Sequence, residues 1–205
     1  LFGFILPLIF VIYTFLNNLN FIDFNNYFNS LYNSIVLGVI AGIGCAIISV
    51  FISYYSRFTK KNQIIYYKKI INIGYAIPGV VIALGVLFFL LYFDRLTTLS
   101  LSTTLLGLSL ALIIRLIALS NNSLDSGMEK IGKSIDDASR LIGRRSSTTY
   151  FRIILPQVKL SIIAGFFLVF VDTVKELPIT LLLRPFNFDT LATSLYEYSS
   201  NEMFE

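Results

Sequence analysis

Residues 31–54 read LYNSIVLGVIAGIGCAIISVFISY, an uninterrupted run without one charged side chain. A membrane-crossing helix needs about 20 mostly apolar residues, and four more stretches meet or approach that length, at 1–16, 70–93, 99–119 and 160–183. Across all 205 residues, 56% are hydrophobic and 14% charged, with a mean hydropathy of +0.76. No soluble domain of this size stays in solution with that balance. The expected fold class is all-α and polytopic, with about five transmembrane helices, and residues 1–205 read as a single transmembrane domain.

The net charge of +4 is informative through its placement. Arg57, Lys60, Lys61, Lys68 and Lys69 sit between the second and third apolar runs. Lys130, Lys133, Arg140, Arg144, Arg145, Arg152 and Lys159 sit between the fourth and fifth. This clustering is what the positive-inside bias produces when both loops are cytoplasmic. It argues against a nucleic-acid surface, and no nucleic-acid partner is expected. The N-terminus then starts in the cytoplasm, while 17–30, 94–98 and the segment from Arg184 onward face outside. The first run has no basic leader and no small-residue cleavage site, so it reads as a span and not a signal peptide. Five spans from a cytoplasmic start leave the C-terminus outside, and a sixth is expected to follow in a longer parent chain.

Histidine is absent and Cys45 is the single cysteine. The usual general base, the commonest transition-metal ligand and any disulfide framework are therefore missing. No catalytic residue, resident metal or cofactor is expected. No G-x-x-x-x-G-K-[ST] loop occurs, so this chain has no phosphate cradle of that kind.

Within the runs, Gly38 and Gly42 form a G-x-x-x-G pair beside Ala41 and Gly44, a pattern that lets another helix approach closely. Pro78-Gly79 interrupts the third run, where a break or helix start is expected, with 70–76 as an interfacial lead-in. Irregular backbone at membrane depth persists only where protein or a wet cavity satisfies it, so Pro78 and Gly79 are candidate pathway residues. Tyr54-Tyr55 and Tyr66-Tyr67 fall near the interfaces, as an aromatic belt does.

The loop at 120–159 is long enough to carry structure of its own. Met128, Ile131, Ile135, Ala138, Leu141 and Ile142 recur at spacings of three and four, predicting one amphipathic helix. Gly143 is placed to end it in a left-handed conformation, with arginines nearby to favour the negative end of the helix dipole. Hydroxyls at 146–149 offer caps for a short second helix, and Pro156 is expected in the first turn of the fifth span.

Asp137-Ala138-Ser139, three residues, Gly143, nine residues, then Ile153-Ile154-Leu155-Pro156 resembles the E-A-A, three, G, nine, I-x-L-P signature of ABC importer permeases. Asp137 replaces the consensus Glu and Ser139 the second Ala, while every spacing agrees. The resemblance implies a type I permease-like helical bundle in a bacterial inner membrane, with 137–156 forming a coupling helix that docks on a cytoplasmic ATPase dimer. Asp137, Ala138, Ser139, Gly143, Ile153, Leu155 and Pro156 are the residues it implies for that role, and ATP is then hydrolysed by the partner. Tyr75-Ala76-Ile77-Pro78-Gly79-Val80-Val81-Ile82-Ala83-Leu84-Gly85 is similar to ferric-iron importer permeases. So are Lys175-Glu176-Leu177-Pro178-Ile179-Thr180-Leu181-Leu182-Leu183-Arg184-Pro185 and Phe188-Asp189-Thr190-Leu191-Ala192-Thr193. That likeness implies Fe³⁺ as cargo, a periplasmic binding protein that delivers it, and a second permease half. Thiamine, polyamine and phosphonate permeases share the coupling motif. A self-standing channel or secondary carrier is the alternative from another class.

Asp172, Lys175 and Glu176 lie in the fifth run, where ionisable groups are costly unless paired or hydrated. Asp172 and Lys175 are spaced to pair along the helix. Glu176 is then left with surplus negative charge, and Pro178 points to an unwound stretch beside it. Asp172, Lys175, Glu176 and Pro178 join Pro78 and Gly79 as candidate pathway residues. Arg115, near the cytoplasmic end of the fourth run, is expected to snorkel to the headgroups.

Overall fold

The computed structural model describes residues 2–17, 24–58, 61–97 and 100–200. Leu1, the asparagine-containing segment at 18–23, residues 59–60, the 98–99 connection and the tail at 201–205 lie outside the described residues, as do the side chains of Phe15, residues 61–65 and Tyr67. The described residues form helices and no strand: α1 (Phe2–Asn17), α2 (Phe24–Phe58), α3 (Lys61–Ala76), α4 (Gly79–Thr97), α5 (Leu105–Glu129), α6 (Ser134–Leu141), α7 (Ser146–Thr149), α8 (Leu155–Gln157), α9 (Lys159–Val174), α10 (Pro178–Leu183) and α11 (Leu191–Ser200). The all-α polytopic class is as expected.

Among the described residues, α2, α4 and α5 are long and apolar enough to cross a membrane. A fourth crossing results if the bent pair Ser146–Gln157 and Lys159–Val174 is one span. The first apolar run forms α1, whose 16 residues fall short of the length a full crossing needs.

Two boundaries differ from the apolar windows. α2 has 35 residues, about 52 Å at 1.5 Å per residue, and so outruns a hydrocarbon core of about 30 Å. α5 starts at Leu105 and runs on to Glu129, ten residues into the predicted loop. Polar side chains along that extension find partners in place, with Asn121 Oδ1 left without one. Asn121 donates to Asp125 at 3.3 Å, Lys68 of α3 pairs with Asp125 at 2.7 Å, and Ser123 donates to the Ser161 carbonyl at 2.8 Å. The third run breaks where expected: α3 ends at Ala76 and α4 starts at Gly79. At the far end of α4, the Asp94 carboxylate accepts the backbone N–H groups of Leu101 and Ser102, which fixes a 3₁₀ turn at Leu101–Thr103.

The core lies where α2, α5 and α9 pack together, with α4 and α10 against α5. Leu37, Ala41 and Cys45 of α2 meet Leu108, Ala111, Leu112 and Leu116 of α5 in one buried cluster, which Val169, Ile179 and Leu183 complete. Phe51, Phe88, Phe89, Leu106 and Leu160 are more than half exposed, as side chains facing lipid are. The glycine pair works as its spacing predicts. A Cβ at Gly38 would fall 2.7 Å from the Phe170 ring and one at Gly42 2.7 Å from the Phe166 ring, so α9 seats two stacked phenyl groups on the bare backbone of α2. α11 is tied to α2 by polar contacts: the Leu191 N–H donates to Ser34 Oγ at 2.8 Å, and Ser30 and Ser194 hydroxyls lie 2.8 Å apart.

Candidate functional site

Two regions gather the residues that the sequence singles out. The first is the insert between α5 and α9. Its predicted single helix is two pieces, because α5 stops at Glu129 and α6 starts at Ser134. Arg57, the last basic residue of α2, sits in the gap. Its Nη2 donates to the carbonyls of Gly132 and Ile131 at 3.2 and 3.5 Å, and its Nε donates to Asp136 Oδ2 at 2.9 Å. These carbonyls lie in the non-helical link between α5 and α6, and the Asp136 carboxylate occupies the first turn of α6, where the dipole favours it. Both side chains are about nine-tenths buried.

That anchor sets which way α6 faces. Asp136 and Ser139 point inward, while Asp137 and Ala138 are exposed and Leu141 and Ile142 are 90% and 76% exposed. Ser139, read as part of the docking patch, instead shares a 2.5 Å hydrogen bond with Thr149 Oγ1 and closes the insert on itself. Gly143 has φ +74. Its N–H donates to the Arg140 carbonyl at 2.9 Å, and the Arg144 N–H donates to the Ser139 carbonyl at 3.1 Å, the paired bonds of a Schellman motif. The glycine therefore ends the helix as its position implies. Ser146 to Thr149 form α7 itself and supply no side-chain cap.

Beyond α7 the chain makes a π-helical turn, Tyr150–Ile154, that buries Tyr150 and Ile154 completely and leaves Ile153 partly exposed. The Tyr150 hydroxyl donates to the Val50 carbonyl of α2 at 2.9 Å, and its ring meets Tyr54 at 5.2 Å. Tyr54 is thus a packing partner and not a belt residue, whereas Tyr55 and Tyr66 face outward. Pro156 opens α8 beside half-buried Leu155, and α9 leaves at Lys159 after a 70° bend, so Pro156 precedes the bend and not the fifth span's first turn.

The second region lies where helix breaks meet inside the bundle. α9 ends at Val174, Lys175 to Leu177 are non-helical, and Pro178 opens α10. Asp172 and Lys175 pair at 2.6 Å, as spaced, with the lysine side chain 68% exposed. Arg115 does not snorkel. Its Nε lies 3.6 Å from Glu176 Oε2, and both groups crowd Gly79: a Cβ there would collide with Arg115 Nη1 and stand 2.8 Å from Glu176 Oε1. At an effective dielectric of about 20, two unit charges at that distance attract by about 4–5 kcal/mol before desolvation is subtracted. The charge that was left over on Glu176 is thus matched by Arg115. The structure brings Pro78-Gly79 and Glu176-Pro178 together, and places the Asp172–Lys175 pair one turn away.

Arg57, Tyr150 and Arg115 are the residues that sequence reading missed in these roles. A signal existed only for Arg115: it is the one charged residue within 99–119, and the fifth run carries one more acid than base.

Residues 34–203 match the family described as Binding-protein-dependent transport system inner membrane component. The chain is also similar to the Fe(3+)-transport system permease protein FbpB 2 of Haemophilus influenzae, at 26% identity over 130 residues, which are 63% of this chain and 25% of that protein. The match thus spans about a quarter of the relative's length. With its apolar helices, its insert before α9 and a family match over most of its length, the chain belongs to the binding-protein-dependent transport system inner membrane components, the multi-pass permeases of ABC importers.

Proposed function

We propose that this chain forms part of the membrane pathway of an ATP-driven ferric-iron importer, and that α6 docks on a separate cytoplasmic ATPase dimer. The observation that carries the docking is the outward face of α6. Asp137, Ala138, Leu141 and Ile142 stand exposed on a helix whose other face is fixed to α2 through Arg57 and Asp136. An amphipathic helix held rigidly from behind is suited to seat in a groove of a partner. Ile153, Leu155 and Pro156 then belong to the strut joining that helix to α9, and Ser139 to its internal closure.

Ferric cargo is supported by the likeness of 75–85 and 175–193 to ferric-iron permeases and by the name of the Haemophilus relative. A periplasmic binding protein delivers the ion, and a second permease half completes the pathway. Glu176, Asp172 and Lys175, with the breaks at Pro78-Gly79 and Pro178, line the route. ATP on one side and the loaded binding protein on the other must favour different conformations for transport to be driven.

Docking is tested with Asp137→Arg and Gly143→Pro in the parent protein. Both should insert normally in the membrane and lose the ATPase on detergent purification. Retention of the ATPase by both variants refutes the docking role and favours a self-standing carrier. Cargo is tested by uptake of labelled Fe³⁺ against labelled thiamine in cells that express the importer, where preference for thiamine overturns the iron assignment.

A further inference from the structure

Arg115 is the one basic residue that α5 carries between Leu105 and Glu129. It sits on the helix most surrounded by others, its guanidinium aimed at the point where two broken spans meet. Three observations define the place. Nε and Nη1 of Arg115 and Oε1 of Glu176 are all buried without a hydrogen-bond partner. The ion pair has a separation of 3.6 Å, longer than a charge-assisted hydrogen bond of about 2.7–2.9 Å. Gly79 supplies the space, since any side chain there would occupy the positions of Arg115 Nη1 and Glu176 Oε1.

A buried pair that is held by charge but not by hydrogen bonds retains unmet demand on both sides. Its carboxylate can exchange one cation for another at lower cost than a fully bonded pair can. The carboxylate and the glycine beside it both lie at helix breaks. Glu176 is in the non-helical link between α9 and α10, and Gly79 is the first residue of α4 after the Pro78 break. Arg115 is in the middle of an unbroken helix. Its charge therefore moves only with the whole of α5, while the carboxylate is on a joint.

We propose that Arg115 is a tethered counter-cation which occupies Glu176 in the closed pathway, and that a cationic cargo passes by taking Glu176 from it. The residue is thereby a specificity determinant: a monovalent cation from solution does not outcompete a tethered unit charge, so the carboxylate is available only to a multivalent ion. Gly79 is glycine because the exchange occurs against its backbone. This rests on the cation-importer reading above.

The test uses the complete importer, with its ATPase, reconstituted in lipid vesicles, and has a readout that needs no iron. Arg115→Gln vesicles should pass potassium ions at least several-fold faster than wild type without ATP. Adding Glu176→Gln to the same chain should abolish the leak, because the freed carboxylate is what attracts the ion. Where wild type imports Fe³⁺, Arg115→Gln should lower its KM by about tenfold and lower kcat as well. One opposite charge within roughly 4–6 Å of a carboxylate changes its affinity for a proton by about one to three decades, and tenfold is the low end of that range. Arg115→Lys should restore both values toward wild type. Gly79→Ala, which parts the pair without removing a charge, should reproduce the leak and serves if Arg115→Gln does not accumulate. Potassium flux at the wild-type level in Arg115→Gln or, failing its expression, in Gly79→Ala overturns the proposal. So does a KM that stays constant while kcat falls, the signature of a purely structural pair. Absence of iron uptake by wild type refutes the cargo and leaves the potassium result to decide the role of Arg115.

Discussion

Replacing Arg57 with methionine should release the insert between α5 and α9 from α2 while leaving the spans intact. The guanidinium makes the 2.9 Å bond to Asp136 and the 3.2 Å bond to the Gly132 carbonyl, with both charged side chains about nine-tenths buried. Removing one member of a buried pair costs about 3–5 kcal/mol, because the other charge is left uncompensated. Taking about 3 kcal/mol, the local opening equilibrium shifts by roughly two decades, since each decade is about 1.4 kcal/mol. Hydrogen exchange on the detergent-purified protein reads this directly. The amides of Asp136, Asp137 and Arg144, each bonded within the insert, should lose about a hundredfold of protection. Those of the core around Leu112 should be unchanged. Asp136→Leu added to Arg57→Met removes the stranded charge and should recover most of the loss. Unaltered protection in the single variant, or a double variant as open as the single, would refute the assignment of Arg57 as the anchor.

Tyr150→Phe deletes only the hydroxyl bond to Val50 and should cost about 1 kcal/mol in thermal unfolding, whereas Tyr150→Ala empties a fully buried aromatic site and should cost about 3–5 kcal/mol. Gly143→Ala puts a side chain at φ +74 and should destabilise the elbow by about 1–2 kcal/mol, seen as faster exchange of the Arg144 amide, with Gly143→Asn milder. Gly42→Ala places a methyl 2.7 Å from the Phe166 ring and 3.3 Å from its carbonyl, so melting in detergent should show a loss of about 1–3 kcal/mol, while Gly85→Ala meets nothing within 4 Å and should be neutral or stabilising.

The legible features are those that depend on near neighbours in the chain. The apolar windows located α2, α4, α5 and α9, Pro78-Gly79 marked a break, and Gly143 marked a helix end, because length, proline and left-handed φ act locally. Helix ends were misplaced where distant polar partners sustain the helix beyond its apolar window, as Lys68 and Ser161 do for the last turns of α5. The insert was read as one helix since its apolar residues keep a helical period across Gly132, yet Arg57, 75 residues earlier, satisfies the carbonyls at the break. Periodicity assigned Ala138 and Leu141 to one face correctly and gave no sign that Ser139 turns to Thr149. Arg115 was assigned to the headgroups because depth within a span can be counted from sequence, whereas a partner 61 positions away cannot.

α5 is also a lever. Its C-terminal end is bound to α3 through Lys68 and Asp125 and to α9 through Ser123 and Ser161, and fourteen residues separate Glu129 from Arg115, about 21 Å along the axis. A rigid rod of that reach swung by about ten degrees displaces its middle by nearly 4 Å, comparable to the whole separation between the guanidinium and its carboxylate. A modest rotation applied at that end is thus already on the scale that would disconnect the two charges, and no unfolding or long sliding motion is required.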